Sequence, residues 1–220
     1  MTLLKQILKS CHPLLARFAS WYLARPRTGS YSGITIKVLP GVFHPGLFFS
    51  TQVLLKYLKN QPLRGKRILE LGAGSGLISI YCSNKGAQVT SSDISKTALK
   101  CISENAKINH VDLNIVESDL FTNLNIVEFD LVVINPPYYP KRVSTEKDMP
   151  WFCGEAFEYF ENLFFQLQTA PPSCEVIMIL SEDCDLRRIE MIAGKNSLRL
   201  SIIDSSIRWG ELSFIFRINE

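Results

Sequence analysis

Along most of the chain, short apolar runs alternate with longer stretches of helical periodicity. Arg67–Leu71, Gln88–Ser91, Asn114–Val116, Phe129–Ile134 and Glu175–Leu180 are predicted as strands. Phe129-Asp130-Leu131-Val132-Val133-Ile134 has too little polar alternation for an edge strand and reads as a buried parallel one. Helices are predicted between these runs: Leu77–Asn84 closed by Gly86, Lys96–Ile108 with Ser95 as N-cap, Gly154–Gln168 and Cys184–Ala193. Leu198–Ile203 and Leu212–Ile218, joined around Arg208-Trp209-Gly210, form a final antiparallel pair at the sheet edge. Repeating strand–helix units with short loops imply an α/β protein with a doubly wound, mostly parallel sheet.

Ahead of this block, Ile34–Leu39 alternates like a short strand and runs into Pro40-Gly41. Val42-Phe43-His44-Pro45-Gly46 then leads to a helix over Phe48–Tyr57. Apolar residues at helical spacing between 3 and 24 predict one or two amphipathic helices, and Arg25–Ser30 reads as a linker. The expected division is an N-terminal helical extension, 1–30, and a main domain, 31–220.

With 220 residues, 46% hydrophobic and 20% charged, the chain suits one domain with a sizeable core. No run approaches the roughly 18 uninterrupted apolar residues of a membrane span. Lys5, Lys9, His12 and Arg17 interrupt the apolar centre a signal peptide would need. The expectation is a cytoplasmic protein without stable membrane insertion. Six cysteines show no C-x-x-C pair or metal-finger spacing, so they read as structural thiols in a reducing compartment and no metal site is expected. Charge is unevenly placed. Residues 1–69 hold eleven Lys/Arg and no acid, against thirteen basic and twenty-one acidic residues afterwards. This fits a polyanion-facing surface or a solvated basic face that offsets an acidic domain.

Two stretches carry candidate chemistry. Leu69-Glu70-Leu71-Gly72-Ala73-Gly74-Ser75-Gly76 reads as strand, tight turn and helix start, where backbone N–H groups and the helix dipole meet an anionic group. Its G-x-G-x-G spacing is neither the dinucleotide fingerprint nor a phosphate-binding loop. Asp93 ends the next strand, placed to accept both hydroxyls of a ribose. Asp119, after the third strand, is placed to accept from an adenine amino group. The second stretch is Asn135-Pro136-Pro137-Tyr138, where two prolines end the buried fourth strand at its carboxyl end.

Taken together, Glu70–Gly76, Asp93 and Ser118-Asp119 resemble the class I S-adenosylmethionine-dependent methyltransferases. Asn135-Pro136-Pro137-Tyr138 resembles the motif of the amino-methyltransferases, the methyltransferase small-domain and HemK-like group. The resemblance covers residues 40–220 and implies a Rossmann-like, seven-stranded sheet with an antiparallel edge strand. It assigns S-adenosylmethionine to Glu70, Gly72, Gly74, Gly76, Asp93, Ser118 and Asp119. Asn135, Pro136, Pro137 and Tyr138 become the catalytic set. The Asn135 side-chain carbonyl and the Pro136 carbonyl would each accept one hydrogen of a conjugated nitrogen, and Tyr138 would stack on its plane. Such a clamp needs no strong base.

The acceptor is less sharply indicated. Trp151-Phe152-Cys153-Gly154-Glu155 and Arg208-Trp209-Gly210-Glu211-Leu212-Ser213 are similar to the glutamine-methylating branch. Val42–Gly46 with Ser50-Thr51 is similar to the rRNA guanine-N2 enzymes, and the basic first 69 residues lean toward RNA. The expectation is N-methylation of an RNA base, with a protein glutamine as the alternative. An idle RNA- or partner-binding module on the same fold is the alternative of another class.

Overall fold

The computed structural model describes residues 24–46, 49–146, 148–169, 174–208 and 211–220. The amphipathic pattern before Ala24, Cys11, the first residue of the expected helix at Phe48 and the Trp209-Gly210 connection lie outside them.

The chain opens with a hairpin, β1 (Arg27–Tyr31) and β2 (Ile34–Val38), paired antiparallel in a small sheet of its own. The expected linker Arg25–Ser30 is therefore largely strand. Its turn is Ser32-Gly33 with φ of 51° and 80°, the two consecutive positive values of a tight hairpin turn that matches strand twist. The other elements are α1 (Ser50–Leu58), β3 (Arg67–Leu71), α2 (Leu77–Asn84), β4 (Gln88–Asp93), α3 (Lys96–Ile108), β5 (Asn114–Glu117), β6 (Leu131–Ile134), α4 (Glu158–Thr169), β7 (Glu175–Ser181), α5 (Leu186–Lys195), β8 (Arg199–Arg208) and β9 (Glu211–Asn219).

Seven strands form one sheet in the order β5-β4-β3-β6-β7-β9-β8. β5, β4, β3, β6 and β7 pair in parallel, whereas β9 runs antiparallel to both β7 and β8. The reversed strand thus lies one place in from the edge, and β8 is outermost. Alternation along the central strands feeds two cores. Leu69, Leu71, Val132, Ile134 and Met178 meet Phe160, Leu163 and Phe164 of α4 on one face. Ile68, Leu131, Val133 and Ile177 meet α1, α2 and the hairpin on the other. At the amino end of the sheet the Arg67 guanidinium donates to Asp130 at 2.6 Å, tying β3 to the entry of β6.

Two asparagines one turn apart, Asn105 on α3 and Asn109 capping its C-terminal end, dock the hairpin. The Asn105 side chain accepts from Lys37 N–H (2.8 Å) and donates to the Lys37 and Ser75 carbonyls (2.9 Å each). The Asn109 amide accepts from Thr35 N–H (3.0 Å) and donates to the Thr35 carbonyl (2.7 Å). A side-chain amide has the same donor–acceptor pair as a backbone peptide, so these residues finish the open edge of β2. Through Ser75 the clamp also fixes the glycine loop. The hairpin's exit, Gly41–Phe43, is thereby held over the carboxyl ends of the sheet.

Candidate functional site

The carboxyl ends of β3, β4, β5 and β6 converge on a cavity of about 630 Å³, within the size range of small-molecule sites. Glu70, Gly72, Gly74, Asp93, Ser118, Asp119 and the whole of Asn135-Pro136-Pro137-Tyr138 line it. Of the eleven residues expected from sequence, Gly76 alone does not.

The glycine loop leaves β3 with φ of 71° at Gly72, and a Cβ there would enter open space, so the backbone itself forms this wall. Gly76 has another task. It caps α2 at φ 75°, and a Cβ on it would lie 3.3 Å from Ile102, so the position is reserved for helix–helix packing.

Three acidic side chains stand around this loop in different states. Glu70 is buried and its Oε2 accepts from Ser79 N–H (2.7 Å) and from the Ser79 hydroxyl, which in turn accepts from Ser91 Oγ (2.7 Å). Burial pushes its carboxyl up to about 8, and the Ser79 hydrogen bonds oppose this. Asp93 accepts from Gly74 N–H through Oδ2 and from Ser95 N–H through Oδ1, both at 2.9 Å. Each oxygen keeps a lone pair for a ligand hydroxyl. Burial raises the Asp93 carboxyl, while backbone N–H donors from Ser95, Gly74 and Ile94 pull it down. Asp119 is exposed, and no described residue hydrogen-bonds its carboxylate.

Ser118 lines the cavity and also holds the turn beside Asp119. Its hydroxyl donates to the Leu120 carbonyl (2.7 Å) and accepts from Asn123 N–H (3.0 Å). That turn holds Leu120 at φ 50°, an uncommon value for a branched residue, so Asp119 and Leu120 both face the cavity.

Across the cavity, Asn135 follows β6 half-buried, with no described residue hydrogen-bonded to its side chain. Pro136 is buried. Tyr138 is half-buried, packed on the α4-side core and 4.9 Å from the Tyr139 ring, so much of its surface is already covered. Burial drives its phenol upward, keeping the proton.

Sequence reading missed the strap that follows. Tyr139 donates N–H to the Trp151 carbonyl (3.1 Å) and accepts from Cys153 N–H (3.0 Å), which ties the two ends of a strap together. The Asp148 carboxylate braces its turn, accepting from Ser144 N–H (3.1 Å), Thr145 N–H (2.8 Å) and Thr145 Oγ (3.0 Å). Arg142, Val143, Met149 and Pro150 line the cavity, while Thr145 and Glu146 reach a depression shared with Pro40, Ser95 and Thr97. The strap therefore spans the mouth. Phe43 meets Trp151 there at 5.2 Å. Thr51, from the stretch similar to the rRNA guanine-N2 enzymes, also lines the cavity, as do Ile94, Tyr159 and Asn162, which no motif marks in sequence. His44, given no role from sequence, is buried with Nδ1 accepting from Gly46 N–H (3.2 Å), and burial lowers its basicity.

Among the described residues, five of the early lysines and arginines lie away from this mouth. Lys56 and Lys59 lie at the far end of α1, and Arg64, Lys66 and Arg67 enter β3 at the opposite end of the sheet. Lys37 pairs with Glu104 at 2.9 Å. The charged residues lining the cavity are Glu70, Asp93, Asp119, Glu155 and Glu158 against Arg142. Beside Arg142, Lys141 stands over the Phe152 ring at 5.5 Å.

Comparison with known proteins falls on the same segment. The family described as methyltransferase small domain matches residues 33–161. A protein of Methanocaldococcus jannaschii, provisionally named a protein N5-glutamine methyltransferase, is 43% identical over 127 residues, 57% of this chain and 61% of its own. The chain spans about three-fifths or less of the curated relatives it matches first. Among solved structures, a T. thermophilus 16S rRNA N2-guanine methyltransferase in complex with AdoMet and guanosine superposes with a TM-score of 0.65. Its identity is 18%, with 88% of this chain and 50% of that one covered. The E. cuniculi Mtq2–Trm112 complex, responsible for methylation of the eRF1 translation termination factor, gives 0.62 at 22% identity, covering 82% and 99%. At these identities the two structures establish the fold.

Proposed function

The chain belongs to the methyltransferase small-domain family, and from that premise we propose that it is an S-adenosylmethionine-dependent N-methyltransferase acting on a conjugated nitrogen of a macromolecule. The observation that carries this reading is the Asn135 amide, engaged by no described residue, on one cavity with the glycine loop, Asp93 and Asp119. Residues 31–220 form the catalytic unit in this reading, with strand β1 added ahead of it.

The cavity fits the cofactor. Open space before Gly72 admits a ligand against bare backbone, Asp93 keeps lone pairs for two hydroxyls, and Asp119 keeps an uncommitted carboxylate. Glu70, Gly72, Gly74, Asp93 and Asp119 would hold it, with Gly76 and Ser118 shaping the turns between them. When bound, S-adenosylmethionine supplies an electrophilic methyl group. The Asn135 side-chain oxygen and the Pro136 carbonyl accept the two hydrogens of the acceptor nitrogen, which turns its lone pair toward the methyl side. Accepting dipoles aimed where positive charge grows favour the transition state over the ground state. The proton then leaves a nitrogen made acidic by alkylation, so no strong base is required.

Two acceptor classes remain, a base amino group in RNA and a glutamine side-chain amide. Of the described basic residues in the first 69, Lys56, Lys59, Arg64, Lys66 and Arg67 lie at the other end of the sheet, which disfavours a polyanion at the mouth and favours the amide. The name of the M. jannaschii relative and the length match with the Mtq2 chain point the same way. All five described cysteines are free, which supports action in the reducing cytoplasm. No helix among the described residues is long and apolar enough to cross a membrane.

The test is transfer of tritiated methyl groups into lysate of cells lacking the protein, with cofactor binding followed by calorimetry. Label sensitive to protease and resistant to nuclease is expected. Nuclease-sensitive label would move the acceptor to RNA. Failure to bind the cofactor at millimolar concentration would sink the enzyme reading and leave a binding platform.

A further inference from the structure

Beyond the residues that motifs identify, Tyr159 brings a further polar group to the cavity, with Asn162 one turn along the same helix. Tyr159 lies in the first turn of α4 and lines the cavity together with Asp93 and Asp119. Its backbone is anchored by donation of its N–H to the Cys153 carbonyl at 3.0 Å. Its ring is held edge-on to Phe160 at 5.4 Å and packs against the α4-side core. No described residue hydrogen-bonds the hydroxyl, and it is absent from the buried side-chain atoms left unsatisfied, so it opens onto the cavity. A rigid ring with its hydroxyl turned to the cavity is pre-organised to donate to a ligand there.

The chemistry of the neighbours specifies what that occupant needs. Ionised carboxylates only accept hydrogen bonds, so Asp93 and Asp119 can serve the hydroxyls and the amino group of an adenosine. They offer nothing to the acceptor nitrogens of the purine ring. Tyr159 sets a hydroxyl donor beside these two carboxylates. Burial together with the charges of Asp93 and Asp119 drives its phenol upward, so the proton stays on the oxygen.

We propose that Tyr159 is an adenosine-binding residue whose hydroxyl donates to a ring nitrogen on the pyrimidine edge of the cofactor's adenine. The proposal rests on the cofactor reading above. With it, the site reads both hydrogen-bonding senses of the base: Asp119 accepts and Tyr159 donates. A purine with N–H where adenine has an acceptor nitrogen would then face donor against donor, which costs more than a lost bond.

Calorimetric titration of S-adenosylhomocysteine, and of its 1-deaza and 3-deaza analogues, into wild type and Tyr159→Phe tests this without any turnover. The wild type is expected to bind S-adenosylhomocysteine about three- to ten-fold more tightly than the variant, the range for one neutral hydrogen bond. One of the two deaza analogues is expected to bind wild type and variant equally, because the nitrogen that Tyr159 serves is missing. Equal affinity of both proteins for the parent ligand would overturn the proposal. Should Tyr159→Phe not fold by circular dichroism, the wild type decides alone: equal affinity for all three ligands overturns it, and selective loss with one deaza analogue sustains it. A wild type that binds none of them would instead overturn the cofactor reading.

Discussion

Asn135 and Asp119 carry hydrogen-bonding atoms that no described residue engages, and both stand on the cavity. A folded protein rarely leaves such groups idle where a wall could cover them. Replacing Asn135 by Ala is expected to lower methyl transfer by about 10²–10³-fold, as when one transition-state dipole is removed. Affinity for S-adenosylhomocysteine should stay near wild type in calorimetry, and a parallel loss of binding would mark the residue as structural. Glu70 is the opposite case, buried with its Oε2 held by Ser79. Its carboxyl in the folded protein titrates near 8, above the ordinary 4.5. Between those pH values the folded state holds a proton that the unfolded chain has released, so this residue's contribution to stability falls as pH rises. Asp93 is shifted in the same direction, hence the useful quantity is a difference. Urea unfolding from pH 5 to 9 should show a shallower decline for Glu70→Gln than for wild type, and identical slopes would refute the assignment.

Among the elements, the α3 clamp was invisible in sequence because an asparagine on a helix has no pattern of its own. Asn105 is completely buried and serves Lys37 N–H, the Lys37 carbonyl and the Ser75 carbonyl together. Asn105→Ala strands those groups and is expected to cost roughly 2–4 kcal/mol, by the penalty for unsatisfied buried polar groups. Chemical denaturation measures it, and cofactor affinity should weaken too, since Ser75 sits in the glycine loop. Periodicity did locate the βα units closely: β3, α2 and α3 match the predicted bounds because apolar period and caps agree there. It failed where pairing comes from a partner. Arg27-Thr28-Gly29-Ser30-Tyr31 has no apolar alternation and became a strand only because β2 supplies its ladder. The Ser32-Gly33 dipeptide was the one available sign. Likewise α4 begins at Glu158, since Phe157 at φ 66° is buried yet cannot continue a helix backward. The motif residues were legible because strand ends bring them together whatever the loops do. The strap was not, because its closure depends on the Tyr139–Trp151 and Cys153–Tyr139 hydrogen bonds, and Tyr159 depends on where α4 packs.

For the molecule as a whole, a charge count gains meaning only once each charge has a place. The early run of Lys and Arg suggested a phosphate-binding surface, but Lys56, Lys59, Arg64, Lys66 and Arg67 lie at the amino ends of the strands, a sheet's length from Asn135. A polyanionic acceptor docked by such residues would release counterions, with log affinity falling by about 0.7 per phosphate contact for each tenfold rise in salt for single strands. An uncharged side-chain amide presented at the cavity has no such term. The Michaelis constant for the acceptor is therefore expected to change by less than about three-fold between 50 and 200 mM salt, whereas six contacts would weaken an RNA on the order of 10²–10³-fold. A second arm separates local from distant charge. Lys56→Glu/Lys59→Glu/Arg64→Glu, all exposed and remote from the cavity, should leave that constant within about two-fold, because screening removes exposed charges beyond roughly 8–10 Å. Arg142→Glu, at the cavity wall, should change it more than the triple variant does. A steep salt slope that the triple variant flattens would restore RNA as the acceptor and show that it wraps the sheet from mouth to far end.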